Sequence, residues 1–493
     1  MRQLRELFSD TIIYGISTVV ARFVNYLLVP FYTDVFSRAQ YGVVSLVYAA
    51  IAFLNVVFTI GMESAYIRYA KDREESRNIF KTLQIALFAV ATILAGVLWM
   101  AEPWITPLLE LDQDTTGIFL MMLGILWFDT LAIVPFAELR LIRRSILFAI
   151  LRSGHVAINL ALNFYLILGL GFGIEAVFLS NLIASVLTTF AIWMFTLPMM
   201  NGSWSSEWMN KAFHFGWPFV PAGIGFVINE MFDRFFLKGM DPDTVIQLYG
   251  ADITVLEVVG VYSACYKLAV FMLLLVQMFR MAWHPFFMRH SDSPEALQVF
   301  AKVFGWFNLA AAAIYITVSL FTQEIVSIRV PILDATLIDS EYWLGLHIVP
   351  WLLLAYWFHG WYLNFTAGIF IKNKTKALPV VTLIGALITI IGNIVLIPHL
   401  GMMGSAVATL MSYSVMATLL YRVSISVLDV PYQFGRELLF MGVMVTLVHT
   451  NELLSLLFSA DVIVNKAFLL IAGILIIAFR AKSMLPETKK ALR

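Results

Sequence analysis

LPVVTLIGALITIIGNIVLIPHLGMMGSAVATLMSYSVMATLLYRVS, residues 378–424, decides the architecture. From Leu378 to Tyr421 it holds no Lys, Arg, Asp or Glu. A helix needs about 20 mostly apolar residues to cross the hydrocarbon core of a bilayer, and this stretch is long enough for two. The small-residue break at Gly401 divides it into 378–398 and 402–424. Both segments read as helices, because lipid offers no partner for an open backbone N–H or C=O.

The same reading extends along the whole chain. Further spans lie near 10–33, 41–69, 79–101, 116–138, 147–169, 174–197, 213–237, 257–284, 298–322, 346–371, 437–458 and 463–481. The expectation is an all-α integral membrane protein of about 14 transmembrane helices. Composition agrees: 61% of the 493 residues are hydrophobic and 13% are charged. Soluble domains carry about 25% charge, so too few groups remain here to wet a globular surface. Mean hydropathy is +0.86. The basic start continues into an apolar stretch too long for a signal-peptide core and lacks a small-residue cleavage site, so it reads as an uncleaved first span.

Most of the 32 Lys and Arg fall in one set of connections, including Lys71 and Arg77, Arg140 to Arg144, and Lys372 to Lys376. This bias places both termini in the cytoplasm. A net charge of zero argues against a nucleic-acid partner. One cysteine, Cys265, excludes disulfide frameworks, and the scattered histidines offer no metal pair, so no metal or cofactor is expected. Gly169-Leu-Gly171-Phe-Gly173 lacks a following Lys-Ser/Thr and reads as a turn. No GxxxxGK[ST] occurs, which removes a single-chain ATP-driven exporter.

An internal duplication organises the spans. Gly42-Val-Val-Ser45-Leu-Val-Tyr48 and Gly260-Val-Tyr-Ser263-Ala-Cys-Tyr266 share GVxSxxY at an offset of 218. Asn163-Phe-Tyr-Leu-Ile-Leu-Gly-Leu-Gly171 and Asn393-Ile-Val-Leu-Ile-Pro-His-Leu-Gly401 share NxxLIxxLG at an offset of 230, and both continue into Ala-Val. The extra residues of the second half fit the longer connection 323–345. Six spans then repeat as six. Because six is even, the expectation is two parallel, pseudo-symmetric six-helix bundles, 1–212 and 213–424, with two added helices and a cytoplasmic tail in 425–493. Such a transporter would hold its substrate between the halves and alternate access by rocking them.

Several motifs resemble one family. Pro30-Phe-Tyr-Thr33 with Tyr41-Gly42, and Gly61-Met-Glu63-Ser-Ala65-Tyr-Ile-Arg68, are similar to the ends of spans one and two in Wzx-type polysaccharide transporters of the MOP superfamily. Asp233-Arg234-Phe-Phe-Leu237 followed by Val259-Gly-Val-Tyr-Ser263-Ala-Cys-Tyr-Lys267-Leu-Ala269 resembles their DRxxL and GxYSxxYxLA signatures. Lys374-Thr-Lys376 leading to Asn393 and Gly401 resembles their span eleven. The resemblance covers about residues 10–424 in separate short motifs. It implies a flippase carrying an oligosaccharide on a polyprenyl pyrophosphate to the outer leaflet of the bacterial inner membrane, for O-antigen, exopolysaccharide or related surface polymers. The partners implied are that lipid-linked oligosaccharide, membrane lipids, H+ or Na+, and the polysaccharide polymerase machinery.

Ionisable groups at mid-membrane need a partner or a water-filled cavity. Arg22 lies about 18 Å along span one by helical rise, and Lys267 is comparably deep in span eight. Arg234 lies nearer the outer end of span seven. In the resembled architecture these spans flank the cleft, so Arg22, Arg234 and Lys267 are candidates to bind pyrophosphate, and Asn25, on the Arg22 face, to bind sugar hydroxyls. The competing reading pairs Arg234 and Lys267 with Glu230 or Asp233 as helix ties. Asp129, Glu230 and Asp233 are the candidates for proton or sodium coupling, with a Glu230–Arg234 bridge at i, i+4 as the alternative for Glu230. Glu63 with Arg68, and Glu138 with Arg140, read as interfacial.

Two other functions stay open at this point. A MATE-like cation antiporter would want an acidic cleft, which the three cations oppose. A membrane glycosyltransferase or polymerase would need outer-loop acids; 238–256 and 323–345 carry Asp241 and Asp339 among others. The duplication belongs to alternating access instead.

Overall fold

The computed structural model describes residues 28–70, 73–112, 115–290, 295–331, 335–457 and 462–491. Among the described residues, ten helical stretches are long and apolar enough to cross a membrane. Most of the span expected near 10–33 lies outside them. The only strands described pair Arg329–Val330 antiparallel with Ala335–Thr336 in the connection 323–345. The chain divides into two compact units, 1–238 with 254–260 and 239–253 with 261–493.

The first unit contains α1 (Leu28–Val35), α2 (Arg38–Thr59), α3 (Met62–Tyr69), α4 (Arg73–Met100), α5 (Thr116–Leu141), α6 (Ser145–Phe164) and α7 (Glu175–Thr196). Three shorter helices follow, α8 (Ser206–Gly216), α9 (Phe219–Met231) and α10 (Asp233–Lys238). They occupy the place of the single expected span 213–237. Pro218 caps α9 and Pro221 sits in its first turn, so the helix cannot run through this segment. α8 packs on α3 and α4, and α9 and α10 pack on α2. The packing unit thus runs past residue 212, the boundary expected from the sequence.

The second unit contains α11 (Pro242–Tyr249), the end of α12 (Val255–Tyr266), α13 (Val270–His290), α14 (Ala296–Leu320), α15 (Val349–Ile371), α16 (Ala377–Leu400), α17 (Met402–Val427), α18 (Phe434–Leu457) and α19 (Val462–Ala491). α16 shows why these helices belong in lipid. Val380, Leu383, Leu387, Ile391 and Ile394 recur at helical spacing and are all exposed. A soluble helix would turn that stripe inward.

The offset of 230 recurs in the backbone. After α5, Arg143 adopts φ 55 and after α15 Asn373 adopts φ 54. Arg143 N–H donates to Arg140 O and Arg144 N–H to Leu139 O; Asn373 donates to Phe370 O and Lys374 to Ile369 O. Gly171 and Gly401, again 230 apart, are both left-handed, at φ 70 and 55. At Gly401 the turn is also crowded, because Tyr249 OH accepts from Met402 N–H at 2.7 Å and a Cβ on Gly401 would strike that hydroxyl.

The two GVxSxxY glycines meet each other. Ser37 and Gln40 form a reciprocal cap that starts α2, and Thr254 and Glu257 do the same for α12. Glu257 also bridges to Arg38 at 3.1 Å. Just beyond, a side chain on Gly42 would overlap Leu256 O and one on Gly260 would overlap Arg38 O. Small residues of this kind let membrane helices touch backbone to backbone. Gly260→Leu is therefore expected to cost about 1–3 kcal/mol, read as a lower unfolding midpoint of the purified protein in detergent. Ala310→Leu, on an exposed face of α14, would leave that midpoint unchanged.

In the second unit, buried Asn308 of α14 accepts from both Trp357 Nε1 at 2.7 Å and Trp361 Nε1 at 2.6 Å, clamping α14 to α15. Asn308→Leu strands two buried donors, each worth about 1–3 kcal/mol. The same thermal measurement is expected to show a larger drop than Gly260→Leu gives.

Candidate functional site

Inside the first unit, α6 carries Arg152, His155, Asn159 and Asn163. The spacing i, i+3, i+7, i+11 puts all four on one face of an otherwise apolar helix. α5 and α7 pack against α6 and against each other, and they present Asp129, Ser185 and Thr188 to that face. Asp129 interacts with Ser185, His155 and Arg152, and Tyr48 of α2 also senses its charge. His155 Nδ1 lies 3.3 Å from Thr188 Oγ1. Asn181 Nδ2 reaches the Tyr48 hydroxyl at 3.5 Å. The Arg152 guanidinium lies over Phe136, its Cζ 4.0 Å from the ring centroid.

Depth follows from helical rise. From Ser145, Arg152 lies about 10 Å into α6 and His155 about 15 Å. Asp129 lies about 18 Å from the Leu141 end of α5. The carboxylate and imidazole are thus near mid-membrane, with the guanidinium one turn closer to the basic end. Asp129 is only partly buried and Arg152 is exposed. Such groups are costly in hydrocarbon, so their clustering makes this the candidate site.

The repeated asparagines anchor each unit in the same manner. Asn163 Nδ2 donates to Asn159 O at 2.8 Å and Asn163 Oδ1 accepts from Tyr32 OH at 2.8 Å. Asn393 donates to Thr389 O at 2.7 Å and accepts from Ser405 Oγ at 2.8 Å. These buried side chains are already engaged within their own units and serve to hold helices.

The second unit has its own polar set. Lys267 stands at the 3-10 break between α12 and α13. Arg280 of α13 is exposed and acts on buried His359 of α15, which stacks on Tyr413 at 4.7 Å and 9°. Tyr266 and Tyr356 share a hydroxyl contact of 2.7 Å.

The other expected residues are placed as follows. Arg22 and Asn25 lie outside the described residues. Arg234 is buried in α10, ion-paired with Asp233 at 2.5 Å, and donates to the main-chain carbonyl of Glu230 at 2.9 Å. Glu230 and Asp233 are likewise buried. Arg140 pairs with Glu63, and Glu138 accepts from Tyr66 OH at 2.7 Å. Both carboxylates therefore make contacts between α3 and α5. Arg68 instead covers Phe215, 4.6 Å from its centroid. Sequence reasoning missed Arg152, His155 and Arg280; the polar spacing along α6 was the available signal.

The sequence profile described as polysaccharide biosynthesis protein matches residues 7–291. No curated protein sequence matches the chain. Among solved structures, the lipid II flippase MurJ in an inward closed conformation superposes with a TM-score of 0.74 at 14% identity, covering 97% of this chain and 99% of that one. An inward-facing multidrug resistance MATE transporter of the MOP superfamily gives 0.62 at 15% identity, over 84% of this chain and 94% of that one. A MATE transporter of Vibrio cholerae gives 0.57 at 13% identity, over 86% and 97%.

Proposed function

Since the chain belongs to the polysaccharide biosynthesis protein family and has the multi-pass fold seen in MurJ and MATE transporters, we propose that it is a flippase for a polyprenyl-pyrophosphate-linked oligosaccharide. It moves this lipid from the cytoplasmic to the outer leaflet of the bacterial inner membrane by alternating access, with both termini in the cytoplasm.

The observation that carries this reading is the Arg152–His155–Asp129 cluster. A guanidinium presents a rigid fork that matches phosphate oxygens two at a time. Arg152 is exposed and held over Phe136, so its fork is oriented without being fully consumed. Lys267 and Arg280 supply point and fork charges in the second unit. Asp129 couples the cycle to H+ or Na+. It and the pyrophosphate compete for Arg152: while Arg152 holds substrate, Asp129 is released to take a cation, and it gives the cation up when Arg152 returns.

Lipid extracts from cells depleted of the protein test the proposal. A polyprenyl-linked oligosaccharide that accumulates and disappears on re-expression supports it, and its mass identifies the cargo. Unchanged lipid-linked sugars together with new sensitivity to cationic drugs would replace it with a MATE-like antiporter.

A further inference from the structure

A second charged site lies wholly within the second unit, away from the residues above. A cavity of about 380 Å³ opens between α14, α18 and α19. Its polar lining includes Lys302, Arg436, Glu437 and Arg480, with Gln298 and Gln433 also contributing, and its wall is completed by Phe304, Gly305 and Met484. Three cations therefore face one carboxylate. That carboxylate, Glu437, is buried and ion-paired with Arg480. Arg480 Nη1 donates to Ser483 Oγ at 3.2 Å, while its buried Nε has no acceptor among the described residues. Gly305 makes the close approach possible, since a Cβ there would strike the Met484 side chain and lie against Glu437.

The position suits a lipid headgroup. α14 and α18 begin, and α15 and α19 end, at one end of the unit, where the basic turn Lys372–Lys376 also lies. Lys302 is about 9 Å inside α14 by helical rise, at the level where acyl chains meet glycerol. Leu439 and Phe479, beside Glu437 and Arg480 in sequence, are 70% and 77% exposed. A charged recess next to bare apolar faces suits a ligand with an anionic head and apolar tails.

We propose that this cavity binds the phosphate of an anionic phospholipid drawn from the adjoining leaflet, separately from the transported substrate. The test is native mass spectrometry of the full-length protein titrated with phosphatidylglycerol, with phosphatidylcholine of the same chains, and with inorganic phosphate. Phosphatidylglycerol is expected to bind at least about tenfold tighter than phosphatidylcholine. Lys302→Gln/Arg436→Gln should abolish that preference. Arg436→Gln alone, at an exposed first-turn position that spares the buried pair, should weaken it about threefold. Lys482→Gln, exposed and outside the cavity lining, should retain it. Equal affinity for the two lipids, or an undiminished preference in both cavity variants, overturns the proposal. Displacement of phosphatidylglycerol by millimolar inorganic phosphate would assign the site to a soluble anion and overturn the lipid assignment.

Discussion

Cells relying on Arg152→Ala are expected to display less than about a tenth of the normal surface polysaccharide while holding normal amounts of the protein in the membrane. Each charge-assisted hydrogen bond contributes about 1.5–3 kcal/mol, so losing a two-pronged grip on phosphate weakens binding by two orders of magnitude or more. The stability cost should be small. Arg152 is exposed, and its contact with Phe136 is of a kind worth about 0.5–2 kcal/mol. Quantitative blotting of membranes beside a polysaccharide assay separates the two effects. Arg152→Lys should recover only part of the export, because it keeps the charge and loses the fork. Full export by a stably expressed Arg152→Ala protein would remove this residue from substrate binding.

Asp129→Asn is expected to abolish the response of transport to an imposed proton or sodium gradient, by about tenfold or more, without loss of substrate binding. The amide keeps the size of the carboxylate and can still bond to Ser185, but it cannot exchange a cation. It also no longer competes for Arg152, so substrate should bind as tightly or more tightly. Proteoliposomes with gradients of either ion, assayed beside equilibrium binding, read both quantities. Loss of binding and gradient response together would mean that Asp129 merely holds α5, α6 and α7 in place.

The membrane spans were legible because hydropathy is a local property. The chargeless run from Leu378 to Tyr421 became α16 and α17, with the break at Gly401, where the left-handed φ of 55 favours glycine. Both copies of NxxLIxxLG carry an asparagine that bonds its own helix four residues back. The break at Phe232 was hidden, because no proline marks it in the apolar run, whereas Pro218 and Pro221 stand at the break by Trp217. The pairing of Arg234 with Asp233 was among the alternatives the sequence offered. Arg152 was hidden for another reason. It follows Arg140, Arg143 and Arg144 closely enough to read as part of a basic connection, although α6 begins at Ser145 and carries it about 10 Å inward. Its partner Asp129 is on another helix, and no spacing within one span reveals a contact across two.

Transport itself is tested by reconstituting the purified protein with a labelled polyprenyl-pyrophosphate oligosaccharide and following exposure of the glycan to an impermeant enzyme. A flippase gives protein-dependent, saturable movement between leaflets that falls to about a tenth or less in Arg152→Ala. Glycan exposure no faster than in protein-free liposomes, from a protein that exchanges cationic drugs for protons, would contradict it.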